Sequence, residues 1–234
     1  MKIGGLQKFS LLDYPKELSA IVFTQGCNFR CPYCHNPELV EPRIYSPLLN
    51  TEKVLRFLYK RRKKLSAVVV TGGEPTLQED LIPFLKILKA MRFKVKLDTN
   101  GALPDTLSKV IHAGAVDYIA MDIKAPLILY PSLTQSDVDA NAIMRSMELI
   151  RLSGIEYEFR TTFAPELLSW RNLAEMQALL QPGDRYYLQE CHFSTTLDDL
   201  KPHEFGDFKI TDHEEYQALL SLAHEHRVAI ALRG

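Results

Sequence analysis

Apolar and polar positions along this chain follow two periods that take turns. Short β-branched runs at Ser19–Thr24, Ala67–Thr71, Lys94–Asp98, Val116–Asp122, Tyr157–Phe163 and Arg185–Gln189 predict six strands. Between them, apolar residues recur at helical spacing over Thr51–Lys64, Leu77–Met91, Pro104–Ala113, Ser136–Ser153 and Trp170–Leu180. A last helix is expected over Asp212–His226, opened by a capping box of Thr211 and Glu214, and Val228–Leu232 predicts a short closing strand. The first strand is followed by a long irregular stretch, Cys27 to Asn50, rather than by a helix. No repeat, low-complexity tract or dividing linker interrupts the pattern, so residues 1–234 read as a single domain.

Strand–helix alternation predicts an α/β fold with a parallel sheet and helices outside it. Six such units fit an open, partial TIM barrel of (β/α)6 type; a doubly wound sheet is the other arrangement the pattern allows. The strand ends favour the barrel. They read Thr24-Gln25-Gly26, Thr71-Gly72-Gly73-Glu74, Asp98-Thr99-Asn100-Gly101, Asp122-Ile123-Lys124, Arg160-Thr161-Thr162 and Gln189-Glu190-Cys191, all polar or glycine-rich. In a barrel such ends converge on one face, where active sites are built.

Composition changes this picture little. A hydrophobic fraction of 46% and a charged fraction of 24% suit a globular chain, and a formal net charge of −1 gives no reason to expect nucleic acid or an anionic membrane as partner. No apolar run is long enough to span a bilayer, and Met1 to Asp13 lacks the apolar stretch of a signal peptide. The basic run Lys60-Arg61-Arg62-Lys63-Lys64 reads as a solvated helix end, with a docking patch for an acidic partner as the other reading. Cys27, Cys31 and Cys34 are clustered while Cys191 stands apart, which fits a reducing cytoplasm better than a disulfide framework.

The chemistry concentrates in that cluster, inside a loop over residues 26–36. Three thiolates on one short loop can wrap a soft metal centre. Taken alone they leave open both zinc, with His35 or Cys191 as a fourth ligand, and an iron–sulfur cluster. A four-iron cluster normally takes four cysteines, so three would leave one iron with an open position. In Gly72-Gly73-Glu74-Pro75 the glycines allow close backbone approach to a ligand and the carboxylate can pair with an ammonium.

Together, the CxxxCxxC spacing with Tyr33 before its last cysteine and the Gly-Gly-Glu-Pro loop resemble the radical S-adenosylmethionine (SAM) superfamily. The resemblance implies one [4Fe–4S] cluster on Cys27, Cys31 and Cys34, with SAM chelating the open iron. It assigns Tyr33, Gly72, Gly73, Glu74 and Pro75 to SAM binding, Tyr33 near the adenine and Glu74 on the amino group. Cys34-His35-Asn36-Pro37 and Leu97-Asp98-Thr99-Asn100-Gly101 narrow the likeness to activating enzymes of glycyl radical enzymes, above all those serving anaerobic ribonucleoside-triphosphate reductase. It runs from Gly5 to Pro15, through Cys34 to Leu39, to Asp122–Lys124 and Arg160–Thr162, and departs at Lys16, where a glycine is expected.

That narrower likeness implies that Asp98 and Asp122 help bind a monovalent cation beside the SAM carboxylate. Lys124 and Arg160 would pair with that carboxylate or a substrate backbone, or else form salt bridges with the acidic residues. Thr99 and Asn100 would contact SAM or an incoming glycine loop. The implied partners are anaerobic ribonucleotide reductase as protein substrate and a low-potential donor such as flavodoxin. No cysteine lies between Asn36 and Ser66, so one cluster is expected, with Cys191 as a small buried side chain. Two other readings stand beside this one: a radical SAM enzyme acting on a small molecule, for example a deazaguanine-forming one, and a non-enzymatic zinc-binding adaptor.

Overall fold

All six apolar runs form strands in the computed structural model, which describes residues 1–191, 196–198 and 209–233. The strands are β1 (Ile3–Ser10), β2 (Ser19–Thr24), β3 (Ala67–Gly72), β4 (Lys94–Thr99), β5 (Tyr118–Asp122), β6 (Glu156–Phe163), β7 (Arg185–Glu190) and β8 (Ala229–Arg233). They lie side by side in sequence order. From β2 to β8 every neighbour is parallel; β1 runs antiparallel to β2. β1 and β8 form the two edges, so the sheet is an open, partial barrel. The helices are α1 (Pro37–Val40), α2 (Thr51–Arg61), α3 (Leu81–Ala90), α4 (Pro104–His112), α5 (Tyr130–Thr134), α6 (Ala140–Leu152), α7 (Trp170–Gln177) and α8 (Glu214–Glu225). Among the described residues no helix is long and apolar enough to cross a membrane.

Three local departures from the sequence pattern have physical causes. β1 carries no strand signal because it is an edge strand, half-exposed over Gly4–Phe9, so its residues need not alternate. α3 starts at Leu81 rather than Leu77, because Pro75–Leu77 closes a separate 3-10 turn capped by the Glu74 side chain. The expected capping box of Thr211 and Glu214 does not form: Thr211 is taken up in the 3-10 turn Ile210–Asp212, and His213 stands at the N-cap position, its side chain making no capping hydrogen bond. A capping box does form at the start of α7, between Ser169 and Asn172.

Strand alternation divides the core in two. Ala20, Val22, Val68, Val70, Leu97, Met121 and Phe159 pack outward under the helices against Leu58, Leu85, Val110 and Met147. The inward set begins with a smaller apolar cluster of Tyr14, Ile21, Ala67, Val69 and Tyr118, and then turns charged with Lys96, Asp98, Glu158 and Arg160. The loop between β1 and β2 closes the end of the barrel where the strands start. There Tyr14 packs on Tyr118 with ring centroids 5.7 Å apart, and Glu17 pairs with Lys94.

Lys16, in this floor loop, has φ 65°, the left-handed conformation that favours glycine. Lys16→Gly should therefore stabilise the protein by about 0.5–1 kcal/mol, the relief of strain exceeding the added chain entropy. Urea denaturation reads this as a higher midpoint at unchanged slope; a lower midpoint would contradict it.

Candidate functional site

The cysteine loop leaves β2 and is pinned from both sides. Gly26 donates its N–H to the Leu39 carbonyl in α1 at 2.8 Å, and Arg30 donates to the Thr134 carbonyl in α5 at 2.8 Å. The Phe29 ring packs edge-on against Tyr130, 6.3 Å between centroids. Cys27, Cys31 and Cys34 are free thiols and line one cleft together with Tyr33, Gly72, Gly73, Glu74, Asp98, Thr99, Asn100, Asp122 and Lys124. The ends of β2, β3, β4 and β5 thus meet as the strand-end reading expects. Two residues of the expected set stand behind the cleft wall: Pro75 is buried at the start of the 3-10 turn, and Arg160 braces two of the wall's carboxylates.

Burial, with Glu74 next, pushes the Cys27 thiol up to about 12; burial pushes Cys31 up to about 11 and raises Cys34 as well. Thiolate ligands therefore require a positive centre to draw off their protons, as a soft metal does. Among the described residues, no three thiol, imidazole or carboxylate groups converge closely enough to hold a single ion. Three thiols on one cleft are the donor chemistry that soft metals and iron–sulfur centres take. Cys191 is buried at the end of β7, its Sγ 3.6 Å from Nε2 of His35.

The glycines answer to the backbone more than to a ligand. A Cβ on Gly72 would lie 2.2 Å from the Thr24 nitrogen, and one on Gly73 would lie 2.1 Å from the Gly26 carbonyl oxygen. Two bonds hold these segments together: Gly73 N–H to the Thr24 carbonyl at 2.9 Å and Glu74 N–H to the Gly26 carbonyl at 2.8 Å. The Glu74 side chain, 1% exposed, is likewise turned to the protein. Its Oε1 accepts from the Thr76 N–H at 3.0 Å, the Thr76 hydroxyl at 2.5 Å and the Thr99 hydroxyl at 2.8 Å; its Oε2 accepts from the Asn100 N–H at 2.7 Å. Burial raises the Glu74 pKa and these donors oppose the shift. Asn100 extends the clasp to the cysteine loop, its Nδ2 donating to Asn28 Oδ1 at 2.8 Å.

Beside this clasp runs a chain of alternating charges. Arg160 donates from Nε to Asp122 Oδ1 at 2.9 Å and from Nη1 to Asp98 Oδ2 at 3.2 Å, while Lys124 donates to Asp122 Oδ2 at 2.9 Å. Burial alone would raise the Asp122 carboxyl, but Arg160 and then Lys124 outweigh it and hold the group down at about 2. Of the alternatives open for Lys124 and Arg160, salt bridges to these aspartates are present here. The turn after β4 is capped by Thr99 and Asn100, which leaves Asp98 to the charge chain. Asp98 Oδ1 is buried and accepts no hydrogen bond from a described residue, and the Tyr33 hydroxyl is in the same position. Lys96 Nζ stands 3.3 Å from this oxygen as an ion pair without forming a hydrogen bond, so the carboxylate, on a cleft wall, keeps acceptor capacity that a ligand ammonium or a monovalent cation could use.

Sequence reasoning overlooked Thr71, Thr162, Phe29 and Val40, which also line the cleft, and the Asn28 link. Strand parity offers the first two, since Thr71 follows Val69 and Thr162 follows Arg160 on the inward face. The loop residues have no period to betray them.

Residues 21–177 match the family model described as the Radical SAM superfamily. A candidate glycyl-radical enzyme activating enzyme of Methanocaldococcus jannaschii is 29% identical over 237 aligned positions, covering 99% of this chain and 95% of its own. A protein of Saccharolobus solfataricus named as a GTP 3′,8-cyclase is 27% identical over 88% of this chain, and the match spans 64% of the cyclase. Among solved structures, Streptococcus suis SuiB bound to S-adenosylmethionine superposes with a TM-score of 0.63 at 16% identity, over 92% of this chain and 52% of SuiB. At that identity the likeness concerns the fold, and the chain spans about half of SuiB's length.

The Glu74 clasp has a measurable consequence. Glu74→Gln puts an amide N–H₂ against the Asn100 N–H or the Thr76 N–H, leaving a buried donor unmatched. Chemical denaturation of the metal-free protein should show a loss of about 2 kcal/mol. An unchanged midpoint would mean that the carboxylate does not join the loops.

Proposed function

Because the chain belongs to the radical SAM superfamily, we propose that it is the activating enzyme of a glycyl radical enzyme, with anaerobic ribonucleotide reductase as its protein substrate. The observation that carries this reading is the end-to-end match to a candidate activating enzyme, 99% of one chain against 95% of the other. The cyclase match, by contrast, leaves about a third of that protein uncovered. Cys27, Cys31 and Cys34 would hold one [4Fe–4S] cluster, and the whole of residues 1–234 would act as one domain around it. Three protein ligands in place of the usual four would leave the cluster room to bind SAM. When bound and reduced by a donor such as flavodoxin, the cluster would supply the electron that cleaves SAM to methionine and a 5′-deoxyadenosyl radical able to take one hydrogen atom from a glycine Cα.

The chain's own residues bind and orient. Gly72 and Gly73 bring the β3 loop against the cysteine loop, and Glu74 ties it to Thr99 and Asn100, so the cleft walls keep a fixed separation. Asp98 Oδ1 would accept from the SAM ammonium or hold a monovalent cation beside the SAM carboxylate. Arg160 and Lys124 offset the charge of the aspartates, so that the wall tolerates an anionic ligand group. Phe29 and Val40 offer apolar surface on the cleft. A reducing cytoplasm suits three free thiols, Cys31 buried and Cys27 and Cys34 half-buried.

The experiment is anaerobic. With dithionite or flavodoxin, SAM and the reductase, electron paramagnetic resonance should show a stable protein-centred doublet that collapses when glycine is α-deuterated. Asp98→Ala should lower the radical yield at least about tenfold, the consequence of losing about 1.4 kcal/mol or more of binding or orientation. No radical with the reductase, together with fast 5′-deoxyadenosine formation driven by a small molecule such as GTP, would overturn the activating-enzyme reading in favour of small-molecule chemistry.

A further inference from the structure

The floor loop around Asp13-Tyr14-Pro15 has no part in the cleft, yet one side chain ties it there. Lys96 stands on β4 one inward position before Asp98 and is 1% exposed. Its ammonium donates to the Asp13 carbonyl at 2.7 Å, and lies 3.3 Å from Asp98 Oδ1 and 3.5 Å from Glu158 Oε1. The two carboxylates depend on it unequally. Glu158 has other partners for both oxygens: Arg233 reaches Oε1 and Oε2, and the Tyr118 hydroxyl donates to Oε2 at 2.8 Å. Among the described residues, Asp98 has Arg160 on Oδ2, shared with Asp122, and on Oδ1 only the nearby charge of Lys96, with no hydrogen bond formed.

We propose that Lys96 is a positioning residue for the ligand site. Anchored to the floor by the Asp13 carbonyl, it balances the charge of Asp98 from below, holding Oδ1 against the pull of Arg160 on Oδ2 and so fixing where the carboxylate stands on the cleft wall. Without it, Arg160 is the remaining cation on Asp98 and draws the carboxylate round toward itself, away from the ligand. The floor loop thereby supports binding from the far end of the barrel without touching what is bound. This rests on the placement of Asp98 at the SAM site proposed above, and the test separates the two.

SAM affinity of the cluster-loaded protein is measured by equilibrium dialysis for the wild type, Lys96→Met, Asp98→Asn and the double variant, with circular dichroism and iron content recorded for each. Lys96→Met should bind SAM at least about tenfold more weakly at unchanged iron content, while the double variant should bind no more weakly than Asp98→Asn alone. If Lys96→Met fails to fold, Lys96→Gln, which keeps a donor for the Asp13 carbonyl, carries the same comparison. Wild-type affinity in the Lys96 variant, or an equal loss with and without Asp98, would overturn the positioning role and leave the Asp98 placement standing. An Asp98→Asn protein that binds SAM like the wild type would remove that placement and the proposal with it.

Discussion

A carboxylate buried at 1% exposure has no water to turn to, and the donors that replace water at Glu74 come from two different strand ends. Left unmet, such a group would be strongly destabilising; met by Thr76, Thr99 and Asn100, it locks the loops after β3 and β4 to each other. Through Asn100 and Asn28 the same network reaches the cysteine loop, and through Gly73 and Gly26 the backbones touch directly. The position of three thiols relative to the aspartates therefore follows from one anion and a run of close backbone approaches. It owes little to the cysteines themselves.

A second constraint comes from the barrel interior. A parallel barrel is ordinarily filled with branched apolar side chains, and this one is so only near the floor, around Tyr14, Ile21 and Val69. Above them, Glu158, Lys96, Asp98, Arg160, Asp122 and Lys124 alternate in sign, each within salt-bridge distance of the next. Alternation lets a site rich in carboxylates sit in a low-dielectric interior, and it hands the cleft a wall whose charge is already largely balanced.

Much of this was legible in the sequence because period and punctuation are local. Six of the seven parallel strands announce themselves through β-branched runs, and the site through polar residues where those runs stop. The cysteine spacing and Gly72–Pro75 needed no structure to stand out. What stayed hidden depends on long-range pairing. β1 is an edge strand and carries no alternation. The hydrogen bonds of Glu74 to Thr99 and Asn100 join residues about 25 positions apart in the chain. Arg160 could be seen as a partner for either aspartate, but not that it would take both. The approach of Gly72 and Gly73 to the backbone of β2 and the loop after it likewise depends on residues far from them in the chain.

The central claim is that these three thiols hold an iron–sulfur cluster with one iron left for SAM. Mössbauer spectroscopy of protein loaded anaerobically with iron-57 tests it most directly. If the claim is right, adding SAM shifts the signal of one iron in about four and leaves the others in place, as a three-cysteine [4Fe–4S] site requires. A spectrum untouched by SAM, or a colourless protein that takes up zinc and no iron, would contradict it.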